Sequence, residues 1–86
     1  SRARRDEGKE ESRAEERTAA GHRFRREGGA WVDVNYRPSM SQTGVRRGTD
    51  AYRALVADVP QVGRAAEQLG GEFIIVVGGR AYRVRP

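Results

Sequence analysis

The residues that could do chemistry in this 86-residue chain are few and widely spaced. His22 is the single histidine, and it could pair with Asp33 across a predicted hairpin. Acid–base catalysis or metal binding needs further polar groups converging on the imidazole, and the sequence supplies none. We therefore interpret His22 as a strand residue at a solvent edge, and we predict no enzyme activity, no catalytic residue, no metal site and no cofactor.

A basic pair, Arg46 and Arg47, precedes Gly48 and the start of a predicted helix. The free N–H groups at a helix start can bind phosphate. Asp50 falls in the first turn of the same helix, however, and a carboxylate there already occupies the electropositive end. We therefore interpret the pair as surface interaction residues and not as a phosphate site.

Three more arginines, Arg80, Arg83 and Arg85, share a predicted strand with Tyr82. Arginines interleaved with an aromatic residue are typical of nucleic-acid surfaces. Strand side chains alternate between faces, so Arg83 and Arg85 point to one face and Tyr82 to the other, which predicts that Tyr82 packs in the core. The candidate interaction residues are Arg46, Arg47, Arg80, Arg83 and Arg85.

Two glycine pairs predict the hairpins that position these arginines. Gly28-Gly29 and Gly78-Gly79 each stand between β-prone runs, and paired glycines supply the positive φ angles of tight turns. Phe24, Trp31 and Phe73 are predicted core residues. The four predicted strands are 23–26, 30–34, 72–77 and 80–85.

Two short helices are predicted between the hairpins, after a polar loop over residues 35–44. Thr49 is typical of an N-cap for a helix over residues 50–57. Pro60 ends that helix and suits the first turn of a second one, which Gly70-Gly71 terminates. The predicted fold is a small α+β domain of order ββααββ, in which two hairpins form a sheet and both helices pack on one face.

Charge divides the chain into two predicted regions, a segment over residues 1–21 and an α+β module over residues 22–86. The first has no apolar residue except alanine, and as a helix it would carry basic and acidic stripes on opposite faces. It is predicted to be a charged linker or a helix ordered by a partner. The arginine-rich module carries the net charge of +5, so a basic face is expected.

Cysteine is absent, which excludes disulfides and thiolate metal sites. The longest apolar run, Phe73 to Val77, is far shorter than the roughly 20 residues of a membrane-spanning helix. No membrane span is therefore expected in this sequence. Because the chain begins at Ser1 and not at a methionine, we expect it to be a fragment, a processed product or the tail of a longer protein.

Several ordered motifs together resemble the short C-terminal module of bacterial inter-alpha-trypsin-inhibitor-like proteins. In that family a vault-type domain and a von Willebrand factor A domain precede the module. The resemblance covers residues 22–86, and it implies a non-enzymatic accessory module of a periplasmic or cell-surface protein. The motifs are Gly29-Ala30-Trp31-Val32-Asp33, Thr49-Asp50-Ala51-Tyr52-Arg53-Ala54-Leu55, Pro60, Leu69-Gly70-Gly71-Glu72 and Val76-Val77-Gly78-Gly79-Arg80-Ala81-Tyr82.

The sequence thus favours a protein-interaction or structural module of a larger assembly. Its expected partner is another domain or subunit of that assembly, contacted through the outer face of the C-terminal hairpin and the strand edge beside it. A basic nucleic-acid-binding module is the alternative. The two differ in salt dependence, because binding to phosphates weakens steeply as ionic strength rises.

Overall fold

The computed structural model describes residues 16–86, which form one six-stranded mixed sheet and two helices. The strands stand in the order β1-β2-β3-β5-β6-β4 across the sheet. The prediction of a small α+β domain is confirmed, but the structure adds two strands, β1 and β4, to the predicted ββααββ order. The elements are β1 (Glu16–Ala19), β2 (His22–Glu27), β3 (Ala30–Asp33), β4 (Gln42–Arg46), α1 (Asp50–Asp58), α2 (Pro60–Gln68), β5 (Glu72–Val77) and β6 (Arg80–Arg85).

The first added strand, β1, comes from the segment that the sequence assigned to a charged linker. β1 pairs with β2 in antiparallel register, and its last residue, Ala19, is buried in the core. The sheet therefore includes Glu16–Ala19, which the sequence analysis placed in the charged segment before the α+β module. The charge stripes predicted for the remainder of that segment fall on residues 1–15, which lie outside the described residues.

The turn between β1 and β2 explains why the sequence did not reveal this hairpin. Its two central residues, Ala20 and Gly21, both have positive φ, 54° and 80°. Such a turn favours glycine or asparagine at its first position, and alanine gives no such signal. By contrast the two predicted glycine-pair turns are present, with positive φ at all four glycines.

The other added strand, β4, lies within and just after the predicted polar loop. It pairs in parallel with β6, with Val45 opposite Val84. The sequence Gln42-Thr43-Gly44 has no apolar alternation, and a parallel pairing between distant segments leaves no local signal. β4 therefore covers the edge of β6 that the sequence analysis expected to be open.

At the centre of the sheet, β5 pairs in parallel with β3 and antiparallel with β6. Phe73, Ile74 and Ile75 are all buried, so the strand is covered on both sides. β5 thereby fixes the neighbouring hairpins relative to each other.

The helices begin where the sequence predicted. The Thr49 hydroxyl accepts a hydrogen bond from the Tyr52 N–H at 3.2 Å, and Pro60 opens α2. The two helices approach closely at Gly63, where an added Cβ would stand 2.7 Å from Val56 Cγ1. Glycine at this position therefore allows α2 to pack against α1.

The hydrophobic core lies between the helices and one face of the sheet, which we call the helix-covered face. Phe24 and Phe73 meet edge-on there, with their ring centroids 6.4 Å apart. The predicted burial of Trp31 and Phe73 is confirmed, and Tyr82 packs against the same core. The buried core residues are Ala19, Phe24, Trp31, Val62, Ala65, Ala66, Leu69, Phe73, Ile75 and Val84.

Candidate interaction surface

Neither of the two helices within residues 16–86 packs on the opposite side of the sheet, which we call the open face. Side chains alternate between the two faces of a strand, so the residues next to the core residues in sequence point to the open face. Its central row, read across the sheet by register, is Arg25, Val32, Ile74 and Arg83, with Gly44 next to Arg83. The row therefore has an aliphatic centre with one arginine on each side.

Charged side chains cover the aliphatic centre of the open face. Ile74 is only 4% exposed although no helix packs on this side. Arg83, its register partner on β6, forms an ion pair with Glu72 on β5. Long arginine stems can lie on apolar surface while their guanidinium groups stay in water, and Arg83 stands directly beside Ile74 in this way.

The open face is basic but also contains carboxylates. All four strand aromatics belong to the other face: Phe24, Trp31, Phe73 and Tyr82. The open face therefore offers arginine and aliphatic contacts without a strand aromatic on which bases could stack. The charged strand residues on this face are Arg23, Arg25, Arg46, Arg83, Arg85, Glu16, Glu27 and Glu72.

An arginine-lined cleft lies where the open face meets β4. Arg46, Arg83 and Arg85 surround it, together with Gln42, and its volume is about 220 Å³. Gly44 forms its floor, and a Cβ added at Gly44 would meet nothing within 4 Å. The cleft is therefore open to solvent above bare backbone.

Within this cleft two arginines stand side by side. Arg46 and Arg85 are register partners on neighbouring strands, so their side chains leave the sheet at adjacent positions of one face. Like charges directly opposite each other on a sheet are destabilising. Among residues 16–86 neither arginine has an acidic partner within ion-pair distance. An anionic group placed between them would remove the repulsion.

A second cleft, of about 280 Å³, lies at the other end of the aliphatic centre. Arg25 and Val32 line it from the strands, and Tyr36 and Pro38 line it from the loop after β3. The Tyr36 hydroxyl donates to Gln42 Oε1 at 3.2 Å, which connects this loop to β4. The open face thus has a cleft at each end of its central row.

Arg47, another of the predicted interaction residues, uses its guanidinium to bind backbone carbonyl groups of the fold. It donates to the carbonyl oxygens of Ala66 (3.1 Å), Leu69 (2.6 Å) and Gly71 (3.0 Å), and it lies over the Phe73 ring. These carbonyls belong to the end of α2 and the turn after it, where helix carbonyls lack partners. Arg47 therefore anchors α2 to the sheet.

Arg80 also lies away from the other candidates. Arg80 is the register partner of Val77, which places its side chain on the helix-covered face. Its guanidinium donates a hydrogen bond to Thr43 Oγ1 at 3.3 Å. The structure thus brings together Arg46, Arg83 and Arg85 and separates them from Arg47 and Arg80.

His22 and Asp33 do contact each other, with Nδ1 2.9 Å from Asp33 Oδ2. The other ring nitrogen lies 2.6 Å from the side-chain amide of Gln61 on α2. The His22 side chain is only 18% exposed, so its interpretation as a solvent-edge residue is wrong. Its partners among the described residues include no hydroxyl group that could serve as a nucleophile.

The Asp33 carboxylate has a structural role that explains its burial. It accepts hydrogen bonds from the N–H groups of Asn35 and Val76, each at 2.9 Å, as well as from His22. The β3–β5 ladder ends near this point, and the carboxylate takes the place of a strand carbonyl for Val76. A buried carboxylate is tolerated only with several donors, and Asp33 has three.

Two arginines that the sequence analysis did not single out cover Trp31. The guanidinium carbons of Arg17 and Arg26 lie 5.1 Å and 5.0 Å from its ring centroid. Arg26 is the register partner of Trp31, whereas Arg17 comes from the unforeseen strand β1. Only the former contact could have been anticipated from the hairpin.

Metal and membrane features were sought within residues 16–86 alone. There, no group of three or more acidic or histidine side chains is placed to hold a metal ion. No helix in the same part of the chain combines the length and apolar character of a membrane span.

Comparisons of the chain with protein-family models, with curated proteins and with solved structures found no match. The resemblance to the C-terminal module of inter-alpha-trypsin-inhibitor-like proteins therefore stays a prediction.

Proposed function

We propose that this chain is a non-enzymatic protein-interaction module that joins another domain or subunit of a larger assembly through its open face. The observation that carries this proposal is the row Arg25, Val32, Ile74 and Arg83. Val32 stays partly exposed in this row beside the exposed Arg25. An apolar contact framed by charged side chains is typical of protein–protein interfaces, in which arginine is enriched.

A protein partner fits this face better than a nucleic acid. Non-specific binding of single strands uses aromatic side chains as stacking platforms, and the strand aromatics lie on the other face. Glu27 and Glu72 also stand on the open face and would repel a phosphate backbone, and Glu72 already neutralises Arg83. A protein surface can match both signs of charge.

The resemblance noted in the sequence supports the same class of function. It implies an accessory module that follows a von Willebrand factor A domain, and an adjoining domain of that kind would be a natural partner for the open face. The sequence of the parent open reading frame tests this part of the proposal directly.

Site-specific photo-crosslinking tests the open-face contact in cells that produce the parent protein. Arg25 is replaced by a photoreactive amino acid at the exposed rim of the open face, and Arg64, exposed on α2, is replaced as the matched control. We expect crosslinks from position 25 to a single protein partner or domain, and none to that partner from position 64.

Digestion of the crosslinked product identifies its chemical class. A product that is sensitive to protease and resistant to nuclease supports the proposal. A nuclease-sensitive product from position 25 would replace it with the nucleic-acid alternative. Equal crosslinking from both positions would show that the open face is not the contact surface.

A further inference from the structure

Among residues 16–86 no strand pairs with the outer edge of β4, which lies at the arginine-lined cleft. In the parallel ladder, Ala81 N–H donates to Ser41 O and Arg47 N–H donates to Arg85 O. Parallel pairing uses every second residue, so Thr43 and Val45 also turn their backbone groups toward β6. The backbone groups of Gln42 and Gly44 therefore point outward.

The side chains of this edge leave it accessible. Gln42, Gly44 and Arg46 are all exposed, and Gly44 adds no side chain above the edge. Exposed strand edges are templates for another strand, and many recognition domains bind extended peptides in this way. β4 thus combines free backbone groups with an arginine-lined cleft next to them.

We propose that the outer edge of β4 binds an extended acidic segment of a partner protein as a seventh strand. Carboxylates on one side of that segment would lie on the open face, above Gly44, and pair with Arg46 and Arg85. A carboxylate next to Arg46 would neutralise that arginine, and a side chain reaching across Gly44 would also contact Arg85, which would relieve the repulsion between the two like charges. The inference rests on the proposed function, because it names the kind of partner segment that the protein-interaction module takes.

Charge complementarity favours this occupant over two others. A second copy pairing edge to edge would bring two sets of Arg46, Arg83 and Arg85 onto one sheet, with the same sign of charge. Residues 1–15 of this chain hold five basic and five acidic residues, so they offer no net negative charge. An acidic strand from another protein or domain supplies what the cleft lacks.

The probe is a capped eight-residue peptide of alternating valine and glutamate, titrated into the full ¹⁵N-labelled chain and followed by NMR. We expect the largest shifts at the amides of Gln42, Gly44 and Arg46. The same peptide with glutamine in place of glutamate should bind about tenfold more weakly, as expected when rim ion pairs worth about 1.4 kcal/mol in total are lost.

Two controls test the backbone pairing separately from the charges. A peptide whose edge-facing amides are N-methylated keeps its carboxylates but cannot form the strand, and we expect its binding to be lost. In the protein, Gly44→Pro removes an N–H that points away from β6 and also fixes the local φ angle, whereas Gly44→Ala keeps the N–H. We expect the proline variant to lose the peptide and the alanine variant to stay within about threefold of wild type, each first shown to be folded by its NMR spectrum.

Other outcomes overturn the inference in distinguishable ways. Shifts confined to Arg25 and Val32 would place the peptide on the centre of the open face and leave the proposed function standing. No shift at millimolar peptide, or equal binding of the glutamine peptide, would refute an acidic strand at β4. A single-stranded oligonucleotide that shifts the β4 amides when the peptide does not would overturn both proposals. A concentration-dependent dimer through β4 would replace the partner strand with a second copy.

Discussion

The two faces of the sheet use the same strands for different purposes. On the helix-covered face, Phe24, Trp31 and Phe73 are buried beneath α2 and its neighbours. On the open face, the positions next to them in sequence carry Arg25, Val32 and Ile74. The comparison shows that the strand aromatics lie in the hydrophobic core, whereas arginines and the partly exposed Val32 form the surface available to a partner.

Arg46 and Arg47 show the same contrast within two adjacent residues. Arg46 stands on the open face opposite Arg85, without an acidic partner among the described residues. Arg47 anchors the end of α2 through three carbonyl groups. Residue type alone therefore does not separate a structural arginine from a binding one. The position of each side chain relative to the sheet does.

The largest expected effect comes from comparing Trp31→Ala with Val32→Ala. Trp31 is buried on the helix-covered face. Its truncation to alanine should lower the free energy of unfolding by roughly 3 to 5 kcal/mol, enough to unfold a domain of this size. Val32 is only half-buried on the open face, and its truncation should cost about 1 kcal/mol. Urea denaturation followed by circular dichroism measures both. Equal losses would show that the two faces do not differ in their contribution to stability.

The second effect concerns the polar group on the helix-covered face. Asp33→Ala leaves the Val76 and Asn35 N–H groups without their acceptor, and we expect a loss of about 3 kcal/mol. Asp33→Asn keeps one acceptor oxygen and should lose less than half as much. The free energy of unfolding in urea gives both values. If the two variants were equally stable, hydrogen bonding by Asp33 would not explain its burial.

A third and smaller effect separates the adjacent arginines. Arg47→Ala removes the hydrogen bonds to the end of α2 and should cost about 2 kcal/mol. Arg46→Ala removes an exposed side chain and should change stability by less than about 0.5 kcal/mol. Thermal denaturation of the two variants compares them directly. A larger loss of stability in Arg46→Ala than in Arg47→Ala would contradict the roles assigned to the two arginines.

The smallest effect comes from the turn that brings β1 against β2. Ala20 has a φ of 54°, a region in which alanine is strained and glycine is not. Ala20→Gly should therefore raise the free energy of unfolding by about 0.5 to 1 kcal/mol, despite the greater freedom of glycine in the unfolded chain. Denaturant titration detects this change, and Ala54→Gly in α1 is the control expected to destabilise. A decrease in the free energy of unfolding of Ala20→Gly would indicate that the turn carries no strain.

The sequence predicted those hairpins and helices that are specified by residues close together in the chain. The two glycine pairs located the hairpins, and Thr49 and Pro60 located the helix starts. β1 and β4 were missed for a physical reason: β1 follows an alanine in a glycine-like conformation, and β4 is held by a distant strand. Neither property is visible in the composition of these segments.

The candidate site was likewise predictable only where its geometry depends on local alternation along a strand. Alternation along β6 placed Arg83 and Arg85 on one face, as the structure shows through their pairing with Ile74 and Arg46. It could not reveal that Arg47 turns inward, because that depends on where α2 ends. The cleft above Gly44 was also hidden, since it requires β4 to lie beside β6.

The parallel pairing of β4 with β6 also has a consequence for the order of folding. Each antiparallel pair joins strands that follow each other in sequence, whereas Gln42 meets Ala81 across 39 residues (81 − 42). Closing a longer loop costs more chain entropy, so the three hairpins should form before β4 docks. Unlike the central strands β3 and β5, β4 has only one neighbouring strand within residues 16–86. We therefore expect β4 to detach first on partial unfolding, and a partner strand held at its edge would slow that local opening.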